Sequence, residues 1–374
     1  MEALFWAAFG FIVYTYAGYP LGVWMLSRLR PETGGNTPGI RRWPSVTVVV
    51  AVHNEQGRVL PKLSNLRALD YELGLLRIMF VSDGSTDATN EHLAMEADVT
   101  LLSYPERRGK PHALNIALAQ IDSEVVVFTD VRQELEPGAV RCLVARLLEP
   151  GIGAVSGELV HRDPVSHTAS HIGLYWRYEK WIRKAESRLA STVGVTGALY
   201  AIRRRDYVPL PTDTLLDDFV LPMQIVRRGQ RVIFEPRAVI YDELQTDTRG
   251  ERKRKVRTLT GNFQAFVRNS WLFVPGQNPV LVQFLSHKVF RLFVPYAMVA
   301  LLAASFFASG AVYRVAAAGQ VVFYLVVLLG LAAPSFRSNR FVSFALVFVE
   351  LNWAAVLAMR NFLTGGIDAR WEKT

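Results

Sequence analysis

Four long stretches of this chain are almost free of charge. Residues 3–27, 292–313 and 315–336 carry none, and 341–359 carry only Glu350. Each is long enough to cross about 30 Å of hydrocarbon as a helix. Between the first and second stretches the pattern changes. The apolar runs SVTVVVAVHNE, LLRIMFVSD, VTLLSY and SEVVVFTD alternate with helical patterns at 57–69, STDATNEHLAM, KPHALNIALAQI and EPGAVRCLVARLL. Apolar runs without a polar face read as strands covered on both sides. Strands alternating with helices predict βαβ units and a parallel sheet. Ser or Thr is expected to cap the second helix, and Pro111 falls in the first turn of the third, where proline is tolerated. Residues 151–245 are less regular, with strand-like stretches near 153–160, 193–202 and 231–240. The predicted fold class is α/β: a Rossmann-like, mostly parallel sheet domain flanked by transmembrane helices.

These patterns divide the chain. Residues 1–28 form an N-terminal span and 29–44 a linker punctuated by Pro31, Gly34, Gly35, Pro38 and Gly39. The sheet domain occupies 45–275. An interfacial segment follows at 276–291, then about three spans in 292–363 and a tail at 364–374. The first apolar run follows Met1-Glu2 with no basic segment before it and is long, so it reads as an anchor rather than a cleaved signal. Glu350 is expected to face other helices or the aqueous boundary. Arg28, Arg30, Arg41 and Arg42 follow the first span, Lys288 and Arg291 precede the second, and Arg337 and Arg340 lie between the third and fourth. The positive-inside rule therefore puts the main domain in the cytoplasm. Arg360, Arg370 and Lys373 disagree, since four spans place them outside.

Composition changes this picture in two respects. The net charge is +9, and the one cysteine is Cys142. A single cysteine makes no internal disulfide, which suits a reducing compartment. The basic excess points to anionic lipid headgroups and phosphorylated substrates. Nucleic acid is not expected as a partner, because no reading motif accompanies the charge.

The candidate chemistry is acidic. Asp83 closes one apolar run in VSDGSTDAT and Asp130 another in VVVFTDVRQ, while Asp217 and Asp218 follow in TLLDDFVLPMQ. A carboxylate at the end of a buried strand points into the crevice where open α/β sheets bind ligands. Several converging there suit a divalent cation and a phosphate-bearing substrate. Each taken singly also reads as a helix cap. Trp176, Tyr178 and Trp181 offer faces for stacking on a sugar, for the membrane interface or for helix packing. His161, His167 and His171 have no recognised close-ligand spacing and no cysteine beside them.

Taken in order, AVHNE, VSDGSTDAT, GKPHALNIAL, FTD, GVTGALYAIRR, LDDFVLPMQIVRRG and RKVRT resemble the family 2 glycosyltransferases, the inverting, membrane-associated group with a GT-A fold. The resemblance covers roughly 45–275. In HKVFRLFVP, FLTG and WEKT it reaches members of the bacterial polysaccharide-synthase type. It implies an enzyme in the inner cell membrane with a cytoplasmic catalytic domain. That enzyme would move a sugar from a nucleotide diphosphate sugar, expected to be a UDP-sugar, to a glycan or lipid-linked acceptor.

The resemblance also implies roles. Val52, His53, Asn54 and Glu55 would line base and ribose, and Asp83 would hold the uracil–ribose end. Lys110, Arg254 and Arg257 would neutralise diphosphate. Asp130 would be the first acid of a metal-binding DxD for Mg²⁺ or Mn²⁺. Asp218 would be the general base, with Asp217 beside it. Thr196, Gly197, Ala198 and Trp176 would shape the acceptor pocket. Two departures stand out. The DxD position reads Asp130-Val131-Arg132, without its second acid, and Arg254-Lys255-Val256-Arg257-Thr258 stands where processive members carry QxxRW. The missing Trp places long-chain processivity in doubt. The other readings are a transferase adding one sugar to a lipid such as ceramide or polyprenyl phosphate, and a membrane scaffold that keeps the fold without catalysis. Four spans are few for a pore, so secretion of a product implies an oligomer or an export partner.

Overall fold

The computed structural model describes residues 1–31, 40–162, 167–243 and 248–365. The glycines expected in the linker and the tail's Arg370 and Lys373 lie outside the described residues, as do the side chains of His167 and His171.

The chain opens with α1 (Glu2–Arg28). The sheet domain then runs β1 (Val46–Val52), α2 (Val59–Arg67), β2 (Leu76–Asp83), α3 (Thr89–Ala94), β3 (Val99–Tyr104), α4 (Lys110–Gln120), β4 (Val125–Thr129), β5 (Glu134–Leu135) and α5 (Ala139–Leu147). It continues with β6 (Ile152–Arg162), α6 (His167–Leu189), β7 (Leu199–Arg203), α7 (Asp217–Arg227), β8 (Arg231–Glu243) and α8 (Thr248–Arg268). The chain closes with α9 (Leu281–Phe307), α10 (Ala311–Ala332) and α11 (Arg340–Leu363). Together with α1 these are four helices long and apolar enough to cross a membrane. The apolar run expected from residue 292 belongs to a helix that already begins at Leu281.

One eight-stranded sheet has the order β3-β2-β1-β4-β7-β6-β8-β5. Its first half is parallel, with β1 between β2 and β4 and β3 outside β2. The near-continuous valines of β1 follow from burial on both faces: Val46, Val48, Val50 and Val52 pack on one side and Val49 on the other. Beyond β4 the direction changes. β7 enters antiparallel to both β4 and β6, and β8 returns parallel to β6. The sheet is therefore mixed, and its direction changes at the edge of β4, the strand that Asp130 follows. The α3 cap differs from expectation. Ala88 holds the N-cap position without a side-chain bond, and Asp87 instead accepts from the backbone N–H of Thr89 at 3.1 Å.

The second core layer runs on into the apolar helices. Phe219 of α7, Phe263 and Phe266 of α8, Phe284 and Leu292 of α9, and Ala355 and Ala358 of α11 share one cluster with the sheet. A buried polar joint fixes this docking. His287 of α9 places Nδ1 at 2.8 Å from Glu186 and Nε2 at 3.0 Å from Glu179, both on α6. Tyr19 of α1 donates to Glu186, and Arg291 donates to Glu179. Burial works against a charge on Glu179, but Arg291 and His287 outweigh it and hold the carboxyl well below its ordinary range. Three elements separated widely in sequence thus meet on two carboxylates.

Breaking a buried ionic cluster by removing one member costs about 3–5 kcal/mol, because an uncompensated charge is left behind. His287→Leu is expected to lower the melting temperature in detergent by a corresponding margin, read by differential scanning. An unchanged melting temperature would show that the joint contributes nothing.

Candidate active site

A cavity of about 330 Å³ opens at the C-terminal ends of β1 and β4. Val52, His53 and Glu55 line it from the β1 end, Asp130 and Arg132 from the β4 end, and Lys110 from α4. Gly197, Asp217 and Asp218 form the far wall, and Arg254 and Arg257 of α8 reach in from the side. Most of the expected donor residues therefore share one space.

Lys110 organises the carboxylates. Its ammonium donates to Asp130 Oδ1 at 2.9 Å and stands 3.6 Å from Asp217 Oδ2. Burial disfavours the charged amine, yet Asp130 and Asp217 outweigh that cost and hold it protonated well above the ordinary lysine range. Asp218 is placed differently. It follows Asp217 at the start of α7, about 100° round the helix. Burial first, and the Asp217 charge second, push its carboxyl up to about 6; Lys110, Lys288 and Arg183 pull it back. Gly197 lets the turn before β7 pack closely against the start of α7. A Cβ there would stand 2.9 Å from Asp218 Oδ2.

The loop after β4 is held from beneath. Lys62 is buried and donates to Thr129 Oγ1 at 3.1 Å and to the Gln133 carbonyl at 2.7 Å. Burial lowers its amine to about 7, against the pull of Asp130 and Glu134. Arg132, at the position of the missing second acid, pairs with Asp242 at 2.6 Å.

Asp83 is fully buried, is not among the residues lining the cavity, and spends its oxygens on the chain itself. Oδ1 accepts from Tyr104 Oη at 2.9 Å and from the Arg108 N–H at 2.6 Å, and Oδ2 accepts from the Gly109 N–H at 2.9 Å. Its work here is to order the loop that delivers Lys110. Gly84 makes that possible: its φ is +64°, and a Cβ would stand 2.6 Å from the Arg107 nitrogen. Asn54 is turned likewise, with φ 55°, and its Oδ1 accepts from the Thr86 N–H at 2.7 Å. His53 donates from Nδ1 to the Asp83 carbonyl at 2.7 Å, which orients its ring.

The acceptor candidates divide. Gly197 lines the main cavity, and Ala198 is buried in the sheet core. Thr196 and Trp176 line a separate small cavity of about 10 Å³. His161 packs its ring 5.3 Å from that of Trp176. Among the described residues no group of three His, Cys, Asp or Glu side chains is disposed to hold a metal ion. Asp130 nevertheless suits one in another way. Mg²⁺ and ions like it are commonly held by one or two carboxylates, with substrate phosphates and water completing the shell. Sequence reasoning missed Arg58, which lines the main cavity and pairs with Glu55 at 3.0 Å. It also missed Arg183, and it read Lys288 only as a flanking charge and within HKVFRLFVP, not as a neighbour of Asp218.

A crevice with three carboxylates, one bridging ammonium and several arginines at the carboxyl ends of parallel strands defines a nucleotide-binding α/β domain. Residues 47–209, somewhat less than half of the chain, match the model for Glycosyl transferase family 2, and the sheet domain has the GT-A glycosyltransferase fold. The chain is 25% identical over 232 residues to poly-β-1,6-N-acetyl-D-glucosamine synthase of Staphylococcus aureus, covering 60% of this chain and 56% of that protein. It is 28% identical over 182 residues to an N-acetylglucosaminyltransferase of Sinorhizobium fredii, covering 46% and 43%. The matched region thus spans about half the length of these relatives. A mannosyltransferase from Pyrobaculum calidifontis, solved with GDP-Man and Mn²⁺, superposes with a TM-score of 0.74 at 25% identity, over 96% of this chain and 99% of that one.

The raised Asp218 pKa has a consequence for stability. A carboxyl pushed up by folding costs stability that builds as pH rises from 3.8, its unfolded value, to about 6 and is fully present above that. Asp218→Asn is therefore expected to melt higher than the wild type at pH 8, with the difference shrinking below pH 6. A variant melting lower at pH 8 would contradict this electrostatic account.

Proposed function

We propose that the protein is an inverting, membrane-bound glycosyltransferase that moves a sugar from a nucleotide diphosphate sugar to a glycan or lipid-linked acceptor in the synthesis of a cell-surface polysaccharide or glycolipid. The single observation that carries this reading is the pairing of a cationic donor cavity with a separate, raised-pKa carboxylate at its far wall.

Each residue then has a task. Val52, His53, Asn54 and Glu55 form the wall against which base and ribose lie. Lys110, Arg254 and Arg257 neutralise the diphosphate, the arginines through paired N–H donors. Asp130 is the residue to hold a divalent cation, Mg²⁺ or Mn²⁺, together with the diphosphate oxygens. Bound there, the ion supplies Lewis-acid charge to the leaving group. When the anionic donor arrives, Lys110 exchanges part of its carboxylate contact for phosphate. Asp218 takes the proton from the acceptor hydroxyl as its oxygen forms a bond to the anomeric carbon. The bond from that carbon to the diphosphate oxygen breaks, and its electron pair leaves with the nucleoside diphosphate. One displacement from the opposite face inverts the configuration. The four apolar helices support a membrane site, with the sheet domain in the cytoplasm by the charge rule.

Two experiments test this reading. Nucleotide release is measured in nanodiscs with a panel of UDP- and GDP-sugars, with and without Mg²⁺ or Mn²⁺. Release from one donor, stimulated by metal and insensitive to metal in Asp130→Ala, supports the assignment; release from none with nucleotide binding absent would sink it. Asp218→Asn is expected to lower transfer by about 10²–10⁴-fold while nucleoside diphosphate still binds. The wild-type rate is expected to fall as pH drops through about 6, the Asp218 value. Full activity in the Asn variant would overturn the base assignment.

A further inference from the structure

We infer that α11 does not cross the bilayer but lies along its headgroup surface, on the side that carries the sheet domain. Its exposed face meets lipid there, and its last two turns brace α8. The chain then has three membrane-spanning helices, α1, α9 and α10. The inference stands whether or not the protein transfers a sugar.

The spans set the direction across the membrane. α1 and α9 run antiparallel: Tyr14 Oη stands 2.8 Å from Ser286 Oγ, and the Phe11 and Phe290 rings lie 5.3 Å apart. Near the start of α1, the Phe5 ring meets that of Tyr313, in the first turn of α10, at 5.0 Å. The start of α1 and the turn between α9 and α10 thus mark the far side of the membrane. Ser286 and the buried joint on α6 mark the domain side. α11 has both ends on the domain side. It follows the turn Pro334–Ser338, which lies against α6. At its middle, the Phe348 ring packs 5.3 Å from that of Tyr16, and Asn352 Nδ2 stands 3.5 Å from Tyr16 Oη. The Tyr16 carbonyl in turn accepts from Tyr178 of α6 at 2.7 Å. At its end, the Phe362 ring stacks on Phe263 of α8 at 5.8 Å, and the Ala358 carbonyl lies 3.5 Å from Thr260 Oγ1. Ala355 and Ala358 belong to the sheet-domain core. A helix crossing back beside α10 would instead end level with the turn between α9 and α10.

The exposed side chains suit this placement. In the second half of α11, Glu350, Trp353, Arg360 and Leu363 are exposed. At 100° per residue they fall within about 140° of one another round the helix. Two opposite charges on one face are costly in hydrocarbon. At headgroup level they stay hydrated, while the indole and the leucine reach the acyl boundary. The flanking charges agree. With three spans, Arg337, Arg340, Arg360, Arg370 and Lys373 all fall on the side of Arg28, Arg30, Lys288 and Arg291. The disagreement that four spans leave at the end of the chain disappears. The placement also bears on the crevice. α8 carries Arg254 and Arg257 into the donor cavity, so a helix seated on lipid supports one wall of it.

The test places single cysteines in the full chain, in a Cys142→Ser parent, and labels them with a membrane-impermeant maleimide before and after spheroplasts are permeabilised. Only variants that melt with the parent are compared. All four positions are exposed: Leu73→Cys reports the sheet domain, Ser309→Cys the turn between α9 and α10, and Glu350→Cys and Thr364→Cys the middle and end of α11. Thr364→Cys and Glu350→Cys are expected to label from the same side as Leu73→Cys, and Ser309→Cys from the opposite side. Thr364→Cys labelled together with Ser309→Cys shows a fourth crossing and overturns the inference. So does silence at both α11 positions after permeabilisation, which a helix buried in hydrocarbon gives. Thr364→Cys on the domain side with Glu350→Cys silent means that protein, such as a second copy of the chain, covers this face, and overturns the lipid surface. Loss of nucleotide release with the expected labelling would sink the transferase reading and leave the topology standing.

Discussion

Three carboxylates crowded into one crevice repel each other, and the architecture is arranged around that cost. Asp130 and Asp217 are held by one ammonium, that of Lys110. Lys110 reaches them only because Asp83 ties down the loop before it through three hydrogen bonds. The site thus rests on a chain of electrostatic support: a buried acid orders a loop, the loop positions a cation, and the cation gathers two acids. Asp218 is left with less compensation, and its carboxyl is accordingly raised. That imbalance separates a group suited to charge binding from one suited to proton transfer.

The second constraint is mechanical. The joint of Tyr19, Glu179, Glu186, His287 and Arg291 binds α1, α6 and α9 together. His287 has one carboxylate at each ring nitrogen, Glu186 at Nδ1 and Glu179 at Nε2. The same two helices, α6 and α9, carry Arg183 and Lys288 toward Asp218. Fixing the helices against each other therefore fixes the spacing of those cations. The membrane-length helices are in this sense part of the site's wall, through the aromatic cluster of Phe219, Phe266 and Phe284.

The departures in the sequence also find a physical setting. Arg132, where a second acid is usual, is drawn to Asp242 on β8. A guanidinium so held adds positive potential to the cavity without displacing Asp130. Arg254 and Arg257 line the same space from α8, so the basic run there faces the cavity rather than only solvent.

Much of this was legible in the chain. The apolar runs marked β1 to β4 because strands covered on both faces need no polar alternation. The charge-free stretches marked the four long helices, because hydrocarbon admits so few polar groups. Asp130, Asp217, Asp218 and Lys110 were legible from their local motifs. What the chain alone did not decide is where long-range packing acts. The two-residue β5 carries no periodicity, and the antiparallel entry of β7 depends on which edge of β4 is open. Asp83 reads locally as a ligand-binding carboxylate; its three hydrogen bonds, from Tyr104 of β3 and from the Arg108 and Gly109 backbone of the next loop, appear only in the folded chain. Arg58, Arg183 and Lys288 lie on ordinary helical patterns far apart in sequence. Their convergence on the crevice is a property of tertiary packing, because a side chain's electrostatic neighbours are set by distance in space and not by position along the chain.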